Sequence, residues 1–298
     1  MTAAPSTLAA DQAAKLRALI DASQPAVSSS PAAEQPRLAP LVAISSGKGG
    51  VGKTTLSVNL SVALRRRGLR PTLIDADLGA ANADVLCGLT PTLRLDDVDR
   101  PGVRPADLAV TAPGGFRLVP GAVGWALAEG YSNDGPAAVR RAADAVSPAS
   151  DIVLIDTAAG VGRGVVSLAT AADALLIVLT PEPTSMTDAY ALLKSVARSA
   201  TPGRVLVVVN AVQSRREAGR AFGRFSRCAE KFLGLNSELL GVVADDARVS
   251  VSIRRGKPIV LAKPRSKAAR AIAATAERLA ETMLESAIPI AASSRSGR

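Results

Sequence analysis

Short apolar runs recur along most of the chain and alternate with segments of helical periodicity. The runs have the length and the Val, Ile and Leu content of buried strands, at 41–44, 71–75, 116–119, 151–156, 174–179, 204–210 and 239–243. Helices are predicted in five places. One follows the first apolar run and ends at about Arg67, and another begins among residues 180–188 and ends at about Arg198. The others lie at 136–146, 215–233 and 266–285. Residues 90–115 contain turn residues, scattered acids and prolines, so we predict a loop with little regular structure. The alternation indicates a doubly wound α/β fold, with a mostly parallel sheet and helices on both faces.

Composition narrows the class of protein. The chain has 298 residues and is 48% hydrophobic but only 2% aromatic, so its core must be built from Ala, Val, Leu and Ile. The two cysteines, Cys87 and Cys228, match no metal or redox spacing and fit a reducing cytoplasm. No apolar run reaches the ~18–20 residues of a membrane span, and the N-terminus lacks the features of a signal peptide. We therefore expect a cytoplasmic protein.

The pattern divides the chain into four segments. Residues 1–21 can form a short amphipathic helix, and residues 22–40, rich in Ser, Ala and Pro, are predicted to be a flexible linker. The periodic domain covers 41–287, and residues 288–298 are predicted to be a disordered tail. The net charge of +10 is concentrated in residues 194–298, which carry 20 basic and 8 acidic side chains. This basic third could contact lipid, nucleic acid or an acidic protein, or could be a solvated surface.

A glycine-rich loop after the first strand carries the clearest chemistry. It matches G-x-x-x-x-G-K-S/T and stands between a strand and a helix, which is the context of a phosphate-binding P-loop. Its glycines let successive N–H groups point at one anion, and the following helix adds the positive end of its dipole. Lys53 is predicted to neutralise the β- and γ-phosphates, and Thr54 to ligate Mg²⁺. The predicted nucleotide-binding loop consists of Gly47, Lys48, Gly49, Gly50, Val51, Gly52, Lys53, Thr54 and Thr55.

A second lysine in this loop, Lys48, makes the sequence K-G-G-x-G-K-T, which resembles the deviant Walker A motif of the MinD/ParA ATPase family. The resemblance implies a catalytic role for Lys48, in which it reaches across an ATP-bound homodimer to the partner's phosphates. Asp75 and Asp77 stand at the end of the second strand, where ligands gather in parallel sheets. They match the family's second signature, which implies that Asp77 polarises the attacking water and that Asp75 supports the Mg²⁺ shell.

Two further strand ends extend the resemblance. Asp156 ends an apolar strand, as in a Walker B motif, and would bind Mg²⁺ through a water molecule. Asn210 matches the position that contacts the adenine edge in this family, and no guanine-recognition motif follows it. The resemblance covers residues 41–285. It implies an enzyme that hydrolyses ATP, with the P-loop fold and with ATP and Mg²⁺ as its ligands.

Within the family, the flagellar-number regulators called FlhG, FleN or YlxH are the most similar. The similarity rests on segments 156–163, 180–192, 246–249 and 254–258, and on an N-terminal D-Q-A-x-x-L-R element that includes Asp11, Gln12, Leu16 and Arg17. In the family this element binds and stimulates FlhF, a GTPase of the signal-recognition type. The resemblance therefore implies a switch that sets the number and placement of flagella, with FlhF and flagellar switch (C-ring) proteins as partners.

Two departures from the family pattern change these expectations. Ala244 stands where the family usually has proline, so we expect the loop near the base to be less rigid. Residues 288–298 offer no bulky apolar face for a membrane-targeting helix. We therefore expect weak or no autonomous membrane binding, and any membrane location would be peripheral, at the inner face of the cell membrane.

Three hypotheses from other classes stay open. The first is a ParA/MinD-type ATPase for segregation or division-site placement, which would bind DNA phosphates through the basic third, although nucleic acid is not the favoured partner. The second is an iron–sulfur carrier, which the lack of a recognisable cysteine pair disfavours. The third is a non-catalytic scaffold, which the intact Lys48 and Asp77 disfavour.

Overall fold

One sheet organises the part of the chain that the computed structural model describes, residues 38–122 and 135–284. The strands are β1 Leu41–Ser46, β2 Pro71–Ala76, β3 Val110–Thr111, β4 Arg117–Val119, β5 Ile152–Ala159, β6 Ala174–Leu179, β7 Arg204–Val212 and β8 Glu238–Ala244. The helices are α1 Lys53–Arg66, α2 Ala83–Cys87, α3 Gly135–Val146, α4 Arg163–Thr170, α5 Pro183–Ser199, α6 Arg215–Leu233, α7 Ala247–Arg254, α8 Ile259–Ala262 and α9 Lys267–Leu284. The predicted amphipathic element, most of the predicted linker and the predicted tail lie outside the described residues.

The sheet has the strand order β3-β4-β2-β5-β1-β6-β7-β8. Every described pairing is parallel except that of β3 with β4, which is antiparallel. The parallel pairs are joined through helices, as such connections require. The predicted fold class, a doubly wound and mostly parallel sheet, is confirmed.

Alternate side chains of the central strands point to opposite faces, and helices cover both faces. In β6, Leu176 and Val178 pack with α1 and α9, whereas Leu175 and Ile177 pack with α5 and α6. A third cluster packs α3 against β2, β4 and β5. Because both faces are buried, the strands can be apolar at every position, which explains why they form continuous apolar runs in the sequence.

The strand order brings the carboxyl ends of β1, β2 and β5 together, with β1 and β2 on either side of β5. Asp156 of β5 is level with Ile44 of β1 and with Asp75 of β2. The glycine-rich loop leaves β1 at the same edge. Residues that are far apart in the sequence therefore meet at one end of the sheet, as expected for a ligand site in an open parallel sheet.

The predicted strands and long helices agree with the structure to within a few residues at their ends, but shorter elements were missed. Helices α2, α4, α7 and α8 have four to eight residues, which is too short for the periodicity to be recognised. The prediction of an irregular loop at 90–115 is wrong in part. Two 3₁₀ turns, Leu95–Asp97 and Pro105–Leu108, and strand β3 lie there, because Leu95 and Leu108 are buried and fix the backbone. None of the described helices combines the length and hydrophobicity needed to cross a bilayer.

Candidate nucleotide-binding site

A cleft of about 540 Å³ opens where the glycine-rich loop meets the ends of β1 and β5. It is lined by Ser46, Gly49, Gly50, Val51, Gly52, Lys53, Thr54, Thr55, Asp77, Asn82, Val85, Leu86, Ala159 and Ile253. Most of the predicted P-loop and Asp77 are therefore brought together around one space. Its size lies within the range of pockets that bind small molecules and cofactors.

Two positions in the loop require glycine, because neighbouring atoms leave no space for a Cβ. A Cβ at Gly47 would overlap the main chain of Asp188 in α5, and a Cβ at Gly52 would lie 2.5 Å from Asn210 Nδ2. Gly52 also has φ 87°, a conformation that favours glycine. It stands at the N-cap of α1, where no side chain accepts a hydrogen bond from the first turn. The N-terminal amides of α1 are thus left to bind an anion in the cleft.

Lys53 and Asp156 form a buried ion pair at the base of the loop. Lys53 Nζ lies 3.1 Å from Asp156 Oδ1, and the side chains are 7% and 0% exposed. Ser57 Oγ lies 3.0 Å from the same carboxylate oxygen. The other oxygen, Asp156 Oδ2, is buried and has no hydrogen-bond partner among the described residues. Such an unpaired buried acceptor is costly, so it points to a ligand that completes the site.

Asp75 lies beside this pair and holds the following loop. Its Oδ1 accepts a hydrogen bond from Asp77 N at 3.2 Å, and its Oδ2 accepts from Asn82 N and Ala83 N, both at 2.9 Å. Burial, followed by the nearby charge of Asp156, raises the pKa of the Asp75 carboxyl to about 7, although the three amides act in the opposite direction. Asp75 and Asp156 are therefore two mutually repelling carboxylates in one buried site.

These residues fit Mg²⁺. Two buried carboxylates, Asp75 and Asp156, lie side by side on neighbouring strands, and one buried ammonium, Lys53, pairs with Asp156. One oxygen of Asp156 has no partner among the described residues. Thr54, half-buried at the start of α1, lines the same cleft. No cluster of three or more His, Cys, Asp or Glu able to hold a metal occurs in 38–122 or 135–284. That is compatible with Mg²⁺, which commonly binds through one or two protein groups, phosphates and water.

Asp77 lines the cleft, whereas Asn210 is not among its lining residues and contacts the P-loop instead. Asp77 is half-buried and its Oδ1 accepts a hydrogen bond from Ala80 N at 3.1 Å. Asn210 Nδ2 donates to Val51 O at 2.8 Å, which ties the end of β7 to the P-loop. Ala211 next to it has φ 54°, the one non-glycine positive φ in the described part of the chain.

Lys48 is turned away from the cleft of its own chain. It is not among the residues that line the cleft, and Nζ lies 3.1 Å from Glu182 Oε2 and 3.3 Å from Thr184 Oγ1. The Lys48 and Glu182 side chains are 42% and 63% exposed.

The sequence did not reveal the contacts of Glu182 and of Ser57, although Glu182 lies within a segment used for the resemblance. Asp11, Gln12, Leu16 and Arg17 lie outside the described residues.

A P-loop between β1 and α1, with aspartates at the ends of neighbouring parallel strands, defines a P-loop nucleotide-binding protein. The chain belongs to the CobQ/CobB/MinD/ParA nucleotide-binding family, whose domain model matches residues 42–259. It is 40% identical to the antiactivator FleN of Pseudomonas aeruginosa over 80% of this chain and 85% of FleN. It is 29% identical to the flagellum site-determining protein YlxH of Helicobacter pylori, over 72% and 73%.

Solved structures agree with this assignment. The cell division ATPase MinD of Pyrococcus furiosus has a TM-score of 0.70 at 27% identity, covering 82% of this chain and 100% of that one. The septum site-determining protein MinD of Pyrococcus horikoshii, complexed with Mg-ADP, has a TM-score of 0.69 at 25% identity, covering 82% and 97%. The predicted resemblance to MinD/ParA ATPases, and within them to FleN and YlxH, is confirmed.

Proposed function

We propose that this protein is an ATPase that switches between a monomer and an ATP-bound homodimer, and that the switch regulates the number and placement of flagella. The single observation that carries the enzymatic part is the unpaired, buried Asp156 Oδ2 beside Lys53, at the base of a glycine-lined cleft. A buried carboxylate with one free oxygen, next to anion-binding amides, suits a metal–triphosphate ligand.

Residues in and beside the cleft have separate binding roles. The amides of 47–55 and the Lys53 ammonium bind the phosphates, and Asn210 contacts the adenine edge. The Thr54 hydroxyl and Asp156, the latter through water, hold Mg²⁺, and Asp75 supports that shell. Mg²⁺ itself supplies charge neutralisation at the β- and γ-phosphates. The MinD of Pyrococcus horikoshii, complexed with Mg-ADP, supports this choice of ligands.

Hydrolysis is completed by a second copy. Asp77 polarises the attacking water, and Lys48 of each protomer stabilises the charge that develops on the phosphates held by its partner. Two observations support this use of Lys48: it is exposed, and it does not line the cleft of its own chain. ATP therefore acts as both substrate and dimerisation signal.

The flagellar role is supported by the similarity to FleN and YlxH. We place the protein in the cytoplasm, with weak or no autonomous membrane binding, and with an FlhF-type GTPase and flagellar switch proteins as partners. Its parts are an N-terminal GTPase-stimulating element (1–21), a linker (22–40), the ATPase domain (41–287) and a tail (288–298). Asp11, Gln12, Leu16 and Arg17 are the proposed contact residues of that element.

Hydrolysis and molecular mass in solution test the switch together. Phosphate release and light scattering are measured with ATP and Mg²⁺ for the wild type, Lys48→Ala and Asp77→Ala. The wild type hydrolyses ATP, Lys48→Ala does not, and Asp77→Ala accumulates as an ATP-bound dimer because water positioning is lost while binding is kept. An Asp77→Ala protein that stays monomeric under these conditions contradicts the switch.

The partner element is tested separately. A peptide of residues 1–21 accelerates GTP hydrolysis by an FlhF-type dimer, and Gln12→Ala in the peptide removes most of that effect, since a glutamine can orient an attacking water. Deleting residues 1–21 leaves the ATPase rate nearly unchanged. No stimulation by the peptide, or a crippled ATPase after the deletion, refutes this part.

One observation favours a second candidate, a ParA-type ATPase that binds DNA. Exposed basic residues recur on one face of α6 and form no ion pair with any described residue: Arg216, Arg220, Arg224, Arg227 and Lys231. Their spacing of three to four residues places them in one row about 22 Å long. ATP-dependent DNA binding that falls steeply with salt, and that is lost in Arg220→Glu/Arg224→Glu but not in Lys263→Glu/Arg265→Glu, supports this candidate.

A further inference from the structure

Ser57 lies one turn after Lys53 in α1, and its buried hydroxyl contacts the Asp156 carboxylate. Its side chain is fully buried, and Oγ lies 3.0 Å from Asp156 Oδ1 and also 3.0 Å from Lys53 O. A hydroxyl has a single proton, so it can donate to only one of these oxygens at a time. One acceptor is the backbone carbonyl of Lys53, whose ammonium contacts the phosphates in the proposed function. The other is the Asp156 carboxylate, from which that ammonium then moves away.

Ser61 shows what an ordinary buried serine does in the same helix. It is also fully buried, and its Oγ donates to Ser57 O at 2.9 Å, four residues back. Serine side chains commonly bond to this carbonyl in helices, without further role. Ser57 makes the same local contact and differs by its second neighbour, Asp156, which is 99 residues away in the sequence.

The orientation of the Asp156 carboxylate depends on which donors form hydrogen bonds to its Oδ1. In the structure Lys53 Nζ and Ser57 Oγ both lie within hydrogen-bonding distance of Oδ1, whereas Oδ2 has no partner among the described residues. Once Lys53 contacts phosphates, as proposed above, Oδ1 loses its charged donor. Ser57 is then the remaining side-chain donor at Oδ1 in the described residues, and being neutral it leaves the full negative charge on the carboxylate.

We propose that Ser57 is a positioning residue: its hydroxyl proton turns from Lys53 O to Asp156 Oδ1 when Lys53 moves to the phosphates, and so keeps Oδ2 directed at the Mg²⁺ shell. This inference rests on the proposed function. It assigns to Ser57 no contact with nucleotide or metal. Ser57 acts only by fixing the rotation of the Asp156 carboxylate, a terminal torsion that is otherwise soft.

The test compares Ser57→Ala with Ser61→Ala, because both remove one fully buried hydroxyl from α1. Binding of a fluorescent ATP analogue is measured with saturating Mg²⁺ and with EDTA, and Mg²⁺ is titrated into the nucleotide complex. Ser57→Ala raises the Mg²⁺ concentration for half-saturation about tenfold, the scale of losing one hydrogen bond to a charged group, and leaves the affinity in EDTA within about twofold. Ser61→Ala changes neither quantity by more than about twofold.

A second pair protects the test against misfolding. Ser57→Thr and Ser57→Val are nearly the same shape and differ by the hydroxyl, so the threonine protein retains the wild-type Mg²⁺ titration and the valine protein shifts it. Equal Mg²⁺ titrations for Ser57→Ala and Ser61→Ala, or for the threonine and valine proteins, overturn the inference while leaving the ATPase proposal intact. A wild type whose nucleotide affinity ignores Mg²⁺ contradicts the proposed function itself and this inference with it.

Discussion

Lys48 Nζ is held 3.1 Å from Glu182 Oε2 within one chain, yet the proposed dimer needs that ammonium at the phosphates of a second chain. The two uses exclude each other. Glu182, at the N-cap of α5, therefore competes with the partner's nucleotide for Lys48. The pair is exposed on both sides, so its contribution to stability is small, on the order of 0–1 kcal/mol.

We expect Glu182→Gln to dimerise at a lower ATP concentration, by about two- to fivefold, because the glutamine amide holds the ammonium less strongly. Dimer formation against ATP concentration, followed by light scattering in the Asp77→Ala background, measures the shift. Glu230→Gln is the matched control, since Glu230 is exposed on α6 and forms no ion pair among the described residues. A Glu182→Gln protein that needs more ATP than the parent would mean that Glu182 aids the dimer.

The raised pKa of Asp75 predicts a pH dependence of the nucleotide-free fold. Burial and the charge of Asp156 raise this pKa to about 7, against an ordinary value near 3.9 in the unfolded chain. Below about pH 4 the group is protonated in both states. Between about pH 4 and 7 only the unfolded state releases the proton, so the stability that Asp75 contributes at low pH is lost as pH rises through 7.

Urea unfolding across this range checks the sign. We expect the free energy of unfolding of the wild type to fall relative to Asp75→Asn from pH 4 to pH 7, by no more than about 4 kcal/mol, since one pKa unit corresponds to about 1.4 kcal/mol. The difference between the two proteins isolates this group from other carboxyls. A difference that stays constant or rises with pH would show that Asp75 is ionised in the folded protein at acidic pH.

The two thiols should differ in reactivity. Cys87 is buried in α2, and burial, with the charge of Asp84, raises the pKa of its thiol to about 12, whereas Cys228 is exposed on α6. Because the thiolate is the nucleophile, iodoacetamide at pH 8 should alkylate Cys228 rapidly and Cys87 only in denaturant. Mass spectrometry of the wild type and Cys228→Ser counts the adducts. Rapid labelling of native Cys228→Ser would contradict the burial of Cys87 and reopen the iron–sulfur hypothesis.

The sequence identifies those candidate site residues that stand in a local motif. The loop glycines, Lys53 and Asp156 stand in motifs of a few residues, and the apolar runs identify the strands that bring them together. Contacts that join distant parts of the chain had no such signal. Ser57 is an ordinary helix residue until β5 places Asp156 beside it, and the Lys48–Glu182 pair spans 134 residues. Short helices such as α2 and α8 are fixed by tertiary packing, which the periodicity of a few residues does not reveal.

Ala211 has a left-handed backbone, φ 54°, between Asn210 and the last residue of β7. The pairing of β7 with β8 shifts register between Val209 and Val212, so the chain kinks at this point. An alanine in this conformation is less stable than a glycine, by roughly 1 kcal/mol. The neighbouring Asn210 holds this conformation in place, because its Nδ2 donates a hydrogen bond to Val51 O at 2.8 Å.

Ala211→Gly should therefore raise the free energy of unfolding by up to about 1 kcal/mol, because glycine adopts this backbone without strain, although its greater freedom in the unfolded chain offsets part of the gain. Ala200→Gly is the control, because Ala200 is exposed and extended at the end of α5, and this variant should lose stability.

The greater backbone freedom of glycine at position 211 also lets Asn210 move away from the P-loop, so we expect the preference of Ala211→Gly for ATP over GTP to narrow. Urea unfolding and competition binding with the two nucleotides measure both effects. An Ala211→Gly protein that is less stable than the wild type would contradict this prediction, because the strain would then be smaller than the entropic cost of glycine in the unfolded chain. An unchanged nucleotide preference would separate Asn210 from base recognition.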